Sequence, residues 1–320
     1  MLRVAATAIC YSDIRVYKGL KHARSGVIPG HEIAGVVSAT GAGVEGVSAG
    51  DRVALCPIVA CGRCSFCLPG RRHRCPERRT LGYDEDGGIA ELLLVPAALV
   101  SLGHVLPVPP ELPLQRACLT EPLACVLNSL ETCRLVAGGS IAIVGAGPMG
   151  LLHLLLAKRL GAATIIVSEP DEERAAEARR CGATRVVDPR GMELSAAVLD
   201  ATDGLGADAV VVTAGLAEVL EESLAATRRQ GVLSLFAGFP PDTSVPFDPN
   251  AVHYSEVRVT GSQNASPEQY RRTLQLLATM PEIDAVTTHR FSLTGAAGAY
   301  EVRLREEGLK SMVVVNEEGD

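Results

Sequence analysis

No segment of this chain reads as a membrane-crossing helix. Apolar runs such as residues 141–144 and 209–212 are short, and a bilayer-spanning helix needs roughly 20 apolar residues. An excess of positive charge is also missing, since 30 Lys and Arg stand against 37 Asp and Glu, a formal net charge of −7. Nucleic-acid binders concentrate basic residues on one face, so nucleic acid is not expected as a partner. The first ten residues hold one basic side chain but no apolar segment leading to a small-residue cleavage site, so no export signal is read there. A cytoplasmic, reducing location is therefore expected, in which ten cysteines are better read as metal ligands than as a disulfide framework. Internal repeats and low-complexity tracts are lacking, which removes solenoids. At 47% hydrophobic and 21% charged residues, the composition is not that of a disordered chain.

What is present suits two domains, because a single core stops growing at roughly 250–300 residues and the chain has 320. The first part is rich in Gly and Pro. Its apolar runs at 33–37, 52–55 and 91–95 read as short strands joined by turns. Residues 114–135 have helical spacing, with Pro122 expected to break or kink the helix. After Gly138-Gly139 strands and helices alternate: strands at 141–144, 164–167, 185–187, 209–212, 232–236 and 257–260, helices at 150–160, 172–180 and 218–228. That alternation predicts an α/β fold with a parallel sheet covered on both faces. A further helix is expected at 269–279 and a closing strand at 311–315.

Gly145-Ala146-Gly147-Pro148-Met149-Gly150 follows the first of these strands directly and opens a helix. In that setting the first glycine permits a tight turn, the second lets a pyrophosphate approach, and the third allows close helix–strand packing. The helix start offers free N–H groups to the phosphates. Glu169 ends the next strand, 19 residues after Gly150, where a carboxylate can accept from the adenosine ribose hydroxyls and favours NAD over NADP. Arg174 could lie along the adenine or be an exposed helix arginine paired with an acid.

Cys61, Cys64, Cys67 and Cys75 have the spacing C-x2-C-x2-C-x7-C. Close, turn-separated thiols suit a structural zinc site, closed to chemistry once four thiolates are bound; iron–sulfur ligation and free or disulfide-linked thiols are the competing readings. A dispersed set, Cys10, His31, Glu32 and Glu121, holds the residue types of a catalytic zinc site, which takes about three protein ligands and keeps one exchangeable position.

Taken together, Cys10-Tyr11-Ser12-Asp13, Gly30-His31-Glu32, the four-cysteine lobe, Glu121-Pro122, the segment 145–150 and Thr288-His289-Arg290-Phe291 resemble the zinc-containing medium-chain dehydrogenase/reductase superfamily. The likeness is to its sorbitol, threonine and butanediol dehydrogenase branch. It implies a GroES-like, β-rich catalytic domain (1–124, with a structural-zinc lobe at about 56–80, returning at 263–320) around a doubly wound parallel-sheet Rossmann domain (125–262). It further implies two zinc ions per chain. Cys10, His31 and Glu32 hold the catalytic ion, Glu121 contacts it or its substrate, and Ser12 begins a proton relay. Gly145, Gly147, Met149, Gly150, Glu169 and Arg174 serve one half of NAD; Ala237, Gly238, Phe239, Ser262, Gln263 and Asn264 serve the nicotinamide half.

The implied reaction moves hydride from a small secondary alcohol (a polyol, vicinal diol, cyclitol or threonine-like molecule) to NAD, in a dimer or tetramer. The other reading is a non-catalytic NAD-binding relative of the same fold, holding one zinc. This chain departs from the pattern in five places, one of them an interval from Cys10 to His31 about four residues shorter than is usual. Arg15 replaces a relay histidine, Tyr11 a frequent glycine, and Asn264 the substrate-binding arginine of sorbitol dehydrogenases. Nine residues precede Cys10 where relatives carry roughly 25–30, which predicts either that the true start lies upstream or that a sheet edge is left unpaired.

Overall fold

A computed structural model describes residues 1–246 and 248–316. The chain divides into two compact units, residues 1–124 with 264–320, and residues 125–263.

Within the first unit, the described residues form a seven-stranded sheet. From one end it runs Thr287–Ser292, Lys310–Val314, Leu2–Ala8, Glu32–Val37, Arg52–Leu55 and Val105–Pro107, with Leu92–Leu93 also paired to Leu2–Ala8. The strand Leu2–Ala8 lies inside this sheet. Glu32–Val37 runs antiparallel along it, and Lys310–Val314 and Leu92–Leu93 take its other side in succession. The unpaired edge expected near the N-terminus therefore does not fall on this strand. Its alternate residues Leu2 and Val4 join Ile33, Val53, Leu55, Leu81, Leu93 and Leu99 in one buried cluster. Each such side chain contributes roughly 1.5–3 kcal/mol of transfer free energy. In the run 91–95 the strand itself is confined to Leu92–Leu93, and Leu92 and Leu94 are exposed.

The second unit is a parallel sheet ordered Arg185–Val187, Thr164–Ser168, Ser140–Val144, Ala207–Val212, Thr227–Leu235, Arg258–Gly261. By order along the chain this is 3-2-1-4-5-6, the doubly wound arrangement. Ligands in such sheets bind beyond the carboxyl ends of the strands, where the order reverses beside the first strand.

Two sequence expectations give way. Pro122 breaks nothing: it lies in the first turn of the helix Thr120–Cys133, where a missing N–H costs no hydrogen bond. The interruption falls before Thr120, at the end of the short helix Leu114–Ala117. The helix expected over 218–228 ends at Ala225, and Thr227 already opens a nine-residue strand. Pairing of Thr227 with Ala207, and of Val232–Leu235 with residues 209–212, outweighs the helical spacing of the local sequence.

Candidate active site

Cys10 follows the buried strand Leu2–Ala8 and caps the helix Tyr11–Tyr17. Its amide donates to Asp13 Oδ2 at 2.8 Å, an N-cap device that fixes Asp13 one turn into the helix. Asp13 Oδ1 in turn lies 3.2 Å from His31 Nδ1. With a carboxylate accepting at Nδ1, the imidazole carries a proton there, and Nε2 is the nitrogen a metal would take, displacing the proton held on it. Burial alone would lower the His31 pKa. The Asp13 charge and hydrogen bond, helped by Cys10, outweigh that and hold it well above the ordinary histidine value.

One ligand atom each from Cys10, His31 and Glu32 lies within 4.8 Å of the other two. Glu32 is fully buried. Its Oε1 accepts from Lys310 Nζ at 2.7 Å, whereas Oε2 has no partner among the described residues. Burial raises the Glu32 pKa to about 7, against the pull of the Lys310 ammonium and with a further push from Glu121. A buried carboxylate oxygen without a donor is costly, and this one sits beside a thiol and an imidazole. The donor set of sulfur, nitrogen and oxygen, with room for one more ligand, fits zinc. Glu121, named with these three from the sequence, is buried in the first turn of its helix and stands outside the triad.

Ser12 Oγ lies 2.5 Å from Tyr83 Oη, which is 3.1 Å from His31 Nδ1. Burial raises the Tyr83 pKa far above the ordinary phenol value. The phenol therefore stays protonated and shares a hydrogen bond with the Ser12 hydroxyl. Tyr83 and Lys310 had no sequence signal: Lys310 is 300 residues from Cys10, and Tyr83 sits in a turn.

The four thiols Cys61, Cys64, Cys67 and Cys75 also lie within 4.8 Å of one another. Their loop leaves and re-enters through a two-stranded ribbon, Ile58–Val59 against Arg79–Thr80. The Cys61 and Cys67 sulfurs are 3.9 Å apart, near the edge of about 3.8 Å implied by a tetrahedron with Zn–S of about 2.3 Å. Backbone N–H groups of Arg63 and Cys64 bring the Cys61 thiol down to about 7, while burial pushes Cys67 up to about 12. A loop with four converging thiols, two of them buried, fits a cation that converts all four to thiolates.

In the second unit, Gly145 closes the first strand at φ +96°, and a Cβ there would meet Thr213 Oγ1 at 2.9 Å. A Cβ on Gly150 would lie 1.9 Å from the Gly145 carbonyl oxygen, whereas one on Gly147 would meet open space. The three glycines thus divide into two that pack and one that leaves room for a phosphate group. Gly147 caps the helix Pro148–Arg159, and Met149, in its first turn, accepts from His153 Nδ1 through its carbonyl. Buried Glu169 accepts from the Ala146 N–H at 2.6 Å and from the Asp171 N–H at 3.0 Å. Its carboxylate therefore lies against the glycine turn. Arg174 stands on the following helix, its amide capped by Asp171.

Ala237, Gly238 and Phe239 follow the strand Thr227–Leu235, with the Ala237 amide donating to Val212 O at 3.0 Å. Ser262 and Gln263 follow Arg258–Gly261, and the Ser262 hydroxyl is buried without a partner. All of these lie at the carboxyl edge of the sheet, as does the glycine turn. Asn264, at φ +56°, begins the return into the first unit. Gly150→Ala is expected to destabilise the protein by about 1–3 kcal/mol, because its Cβ meets backbone that cannot rotate away. It should also weaken nicotinamide dinucleotide binding; thermal unfolding and titration with NADH check both.

A parallel dinucleotide-type sheet in one unit, with a thiol–imidazole–carboxylate cluster and a four-thiol lobe in the other, defines a zinc-binding dehydrogenase. Residues 1–108 match the family described as the alcohol dehydrogenase GroES-like domain, and residues 148–279 the family described as zinc-binding dehydrogenase. The chain is 34% identical to L-threonine 3-dehydrogenase of Pyrococcus furiosus over 299 residues, 91% of this chain and 83% of that protein. Against sorbitol dehydrogenase of Bacillus subtilis it is 31% identical over 324 residues, covering 99% and 90%. A solved zinc-binding dehydrogenase from Sinorhizobium meliloti, bound to NADP, superposes with a TM-score of 0.91 at 31% identity, covering 98% of this chain and 91% of that one. The chain belongs to the zinc-dependent medium-chain dehydrogenase/reductase superfamily. Among the described residues no helix is long and apolar enough to cross a membrane.

Proposed function

We propose that this chain is a zinc-dependent dehydrogenase that removes hydride from a small secondary alcohol, of the polyol, diol or threonine type, and passes it to NAD. The observation that carries the reading is the triad Cys10, His31 and Glu32 with one buried carboxylate oxygen left without a donor. The names of its threonine and sorbitol dehydrogenase relatives support the substrate class.

In this reading, bound zinc supplies Lewis acidity that eases loss of the alcohol proton, and NAD accepts the hydride. Cys10, His31 and Glu32 hold the ion, with Glu121 beside them. Asp13 orients His31 through Nδ1, and Lys310 fixes Glu32 through Oε1. Tyr83 is hydrogen-bonded to Ser12 Oγ and holds it still. Ser12 can then take the alcohol proton on Oγ while releasing its own hydrogen toward solvent. Cys61, Cys64, Cys67 and Cys75 hold a second, structural zinc.

For the cofactor, Gly145, Gly147, Met149 and Gly150 form the pyrophosphate turn, and Glu169 accepts from the ribose hydroxyls. Arg174 lies on the adenine side. Ala237, Gly238, Phe239, Ser262, Gln263 and Asn264 line the nicotinamide half. A carboxylate at Glu169 repels a 2′-phosphate, so NAD is preferred over NADP. The proposed assembly is a dimer or tetramer in the cytoplasm.

The test is a screen of polyols, vicinal diols, L-threonine and cyclitols with NAD and NADP in parallel, together with zinc content by mass spectrometry. Two zinc ions per chain and NAD reduction by at least one alcohol are expected. One zinc and no turnover would establish the non-catalytic alternative.

A further inference from the structure

Within the first unit lies an open cleft of about 1010 Å³, lined in part by Asp13 and Tyr83, two side chains that contact His31. The loop after the helix Tyr11–Tyr17 forms one wall, Gly82 and Tyr83 a second, and the helix Ala296–Leu304 a third. The cleft is apolar along Val16, Leu20 and Leu304; besides buried Asp13 and Tyr83, and exposed Tyr17, His22, Arg24 and Glu301, two partly buried polar groups line it.

One is Lys21, half-buried, whose ammonium lies 3.6 Å from the centroid of the Tyr83 ring. The Tyr83 ring stands 5.1 Å from the His31 imidazole, centroid to centroid, so Lys21, Tyr83 and His31 follow one another from cleft to metal ligands. The other is Tyr300, whose hydroxyl is shielded from solvent and has no hydrogen-bond partner among the described residues. Both groups lie within electrostatic reach of Cys10 and Asp13. Of the other charges on the cleft wall, Arg24 is paired with Asp86 at 2.7 Å and Glu301 lies 3.9 Å from Arg305. Among the described residues no carboxylate lies within 4.0 Å of the Lys21 ammonium.

We infer that the alcohol substrate carries an anionic group, a carboxylate or a phosphate, which Lys21 binds while the hydroxyl under oxidation faces the Cys10, His31 and Glu32 cluster. The inference rests on the proposed dehydrogenase activity and names its substrate class.

A partly desolvated ammonium is unfavourable without a counter-charge, and an aromatic face compensates it only in part. The negative field of Cys10, Asp13 and Glu121 also steadies Lys21. A divalent ion held by Cys10 and Glu32 would offset part of that field, leaving Lys21 under-compensated where it faces the cleft. An anion completes the pair, and the Tyr300 hydroxyl can donate to it. A neutral polyol would leave both groups unsatisfied, so the site discriminates against it.

The test uses the zinc-loaded full chain and matched pairs differing only in charge: glycerol against glycerol 3-phosphate, and 2,3-butanediol against 3-hydroxybutyrate. Wild-type protein is expected to favour the anionic member of one pair by about tenfold or more in kcat/KM. Whether the phosphate or the carboxylate pair responds identifies the anion. In Lys21→Gln the ratio should collapse toward unity through KM, and Lys21→Arg should restore most of it. In wild type the KM of the anionic member should also rise with ionic strength, a measurement that needs no variant.

Preference for the neutral member in both pairs, or a ratio unchanged in Lys21→Gln, would overturn the inference. If neutral alcohols are oxidised but anionic ones are not favoured, only this assignment fails. If no alcohol in these pairs or in the wider screen reduces either cofactor, the dehydrogenase reading itself has failed.

Discussion

Cys10→Ser lowers kcat/KM by on the order of a thousandfold or more, because several kcal/mol of charge stabilisation leaves with the metal. Zinc content is the independent readout. It should fall by one ion per chain while the four-thiol site keeps its own, since Cys61, Cys64, Cys67 and Cys75 form a separate cluster. The fold should persist. The Cys10 amide, not its sulfur, anchors Asp13, and the strand Leu2–Ala8 keeps its neighbours on both sides. An active Cys10→Ser protein lacking the second zinc would remove the basis of the proposed mechanism.

Lys310→Met should have the next largest effect, reaching the metal site without touching the metal. Lys310 and Glu32 are 3% and 0% exposed. Breaking a buried pair by removing one partner costs about 3–5 kcal/mol, unless the remaining charge is neutralised. Here Glu32 can take a proton, and the sign follows from the groups around it. The Lys310 ammonium pulls the Glu32 pKa down against burial, so its loss raises that pKa above its value of about 7. Folded apoprotein then holds a proton on Glu32 that the unfolded chain, with an ordinary value of 4.5, has already released. Across that window the folded state binds more protons. The variant apoprotein therefore loses stability as pH rises from 4.5 toward the raised pKa.

Zinc must displace the same proton, so half-saturation with zinc moves to higher pH in Lys310→Met. Lys310→Arg keeps a charge and should keep most of the affinity. Zinc titrations at several pH values separate this positioning role from simple loss of fold, which would not be repaired by raising the pH.

The glycine turn and the four-cysteine lobe were both legible before any coordinates. Each is a local device in which the chemistry needs particular residues a few positions apart, and the chain between them is too short to place them elsewhere. The metal triad was legible in part. Cys10 and the His31-Glu32 pair come from separate segments, and the resemblance to a known superfamily linked them. Glu121, drawn in by the same resemblance, stands outside the triad. Pro122 shows the limit of local reading in the other direction, since a residue that breaks helices is harmless in a first turn.

By itself, then, the sequence determined the alternating α/β architecture, the dinucleotide turn and the thiol lobe, because periodicity and short spacing act over a few residues. Only the tertiary structure decided that Lys310 grips Glu32, that Tyr83 joins Ser12 to His31, and that Lys21 faces a cleft over the Tyr83 ring, with no carboxylate paired to it among the described residues. Those contacts come from sheet pairing and burial across large sequence separations. The low dielectric of the interior then gives a single charge an energetic weight that its place in the chain does not reveal.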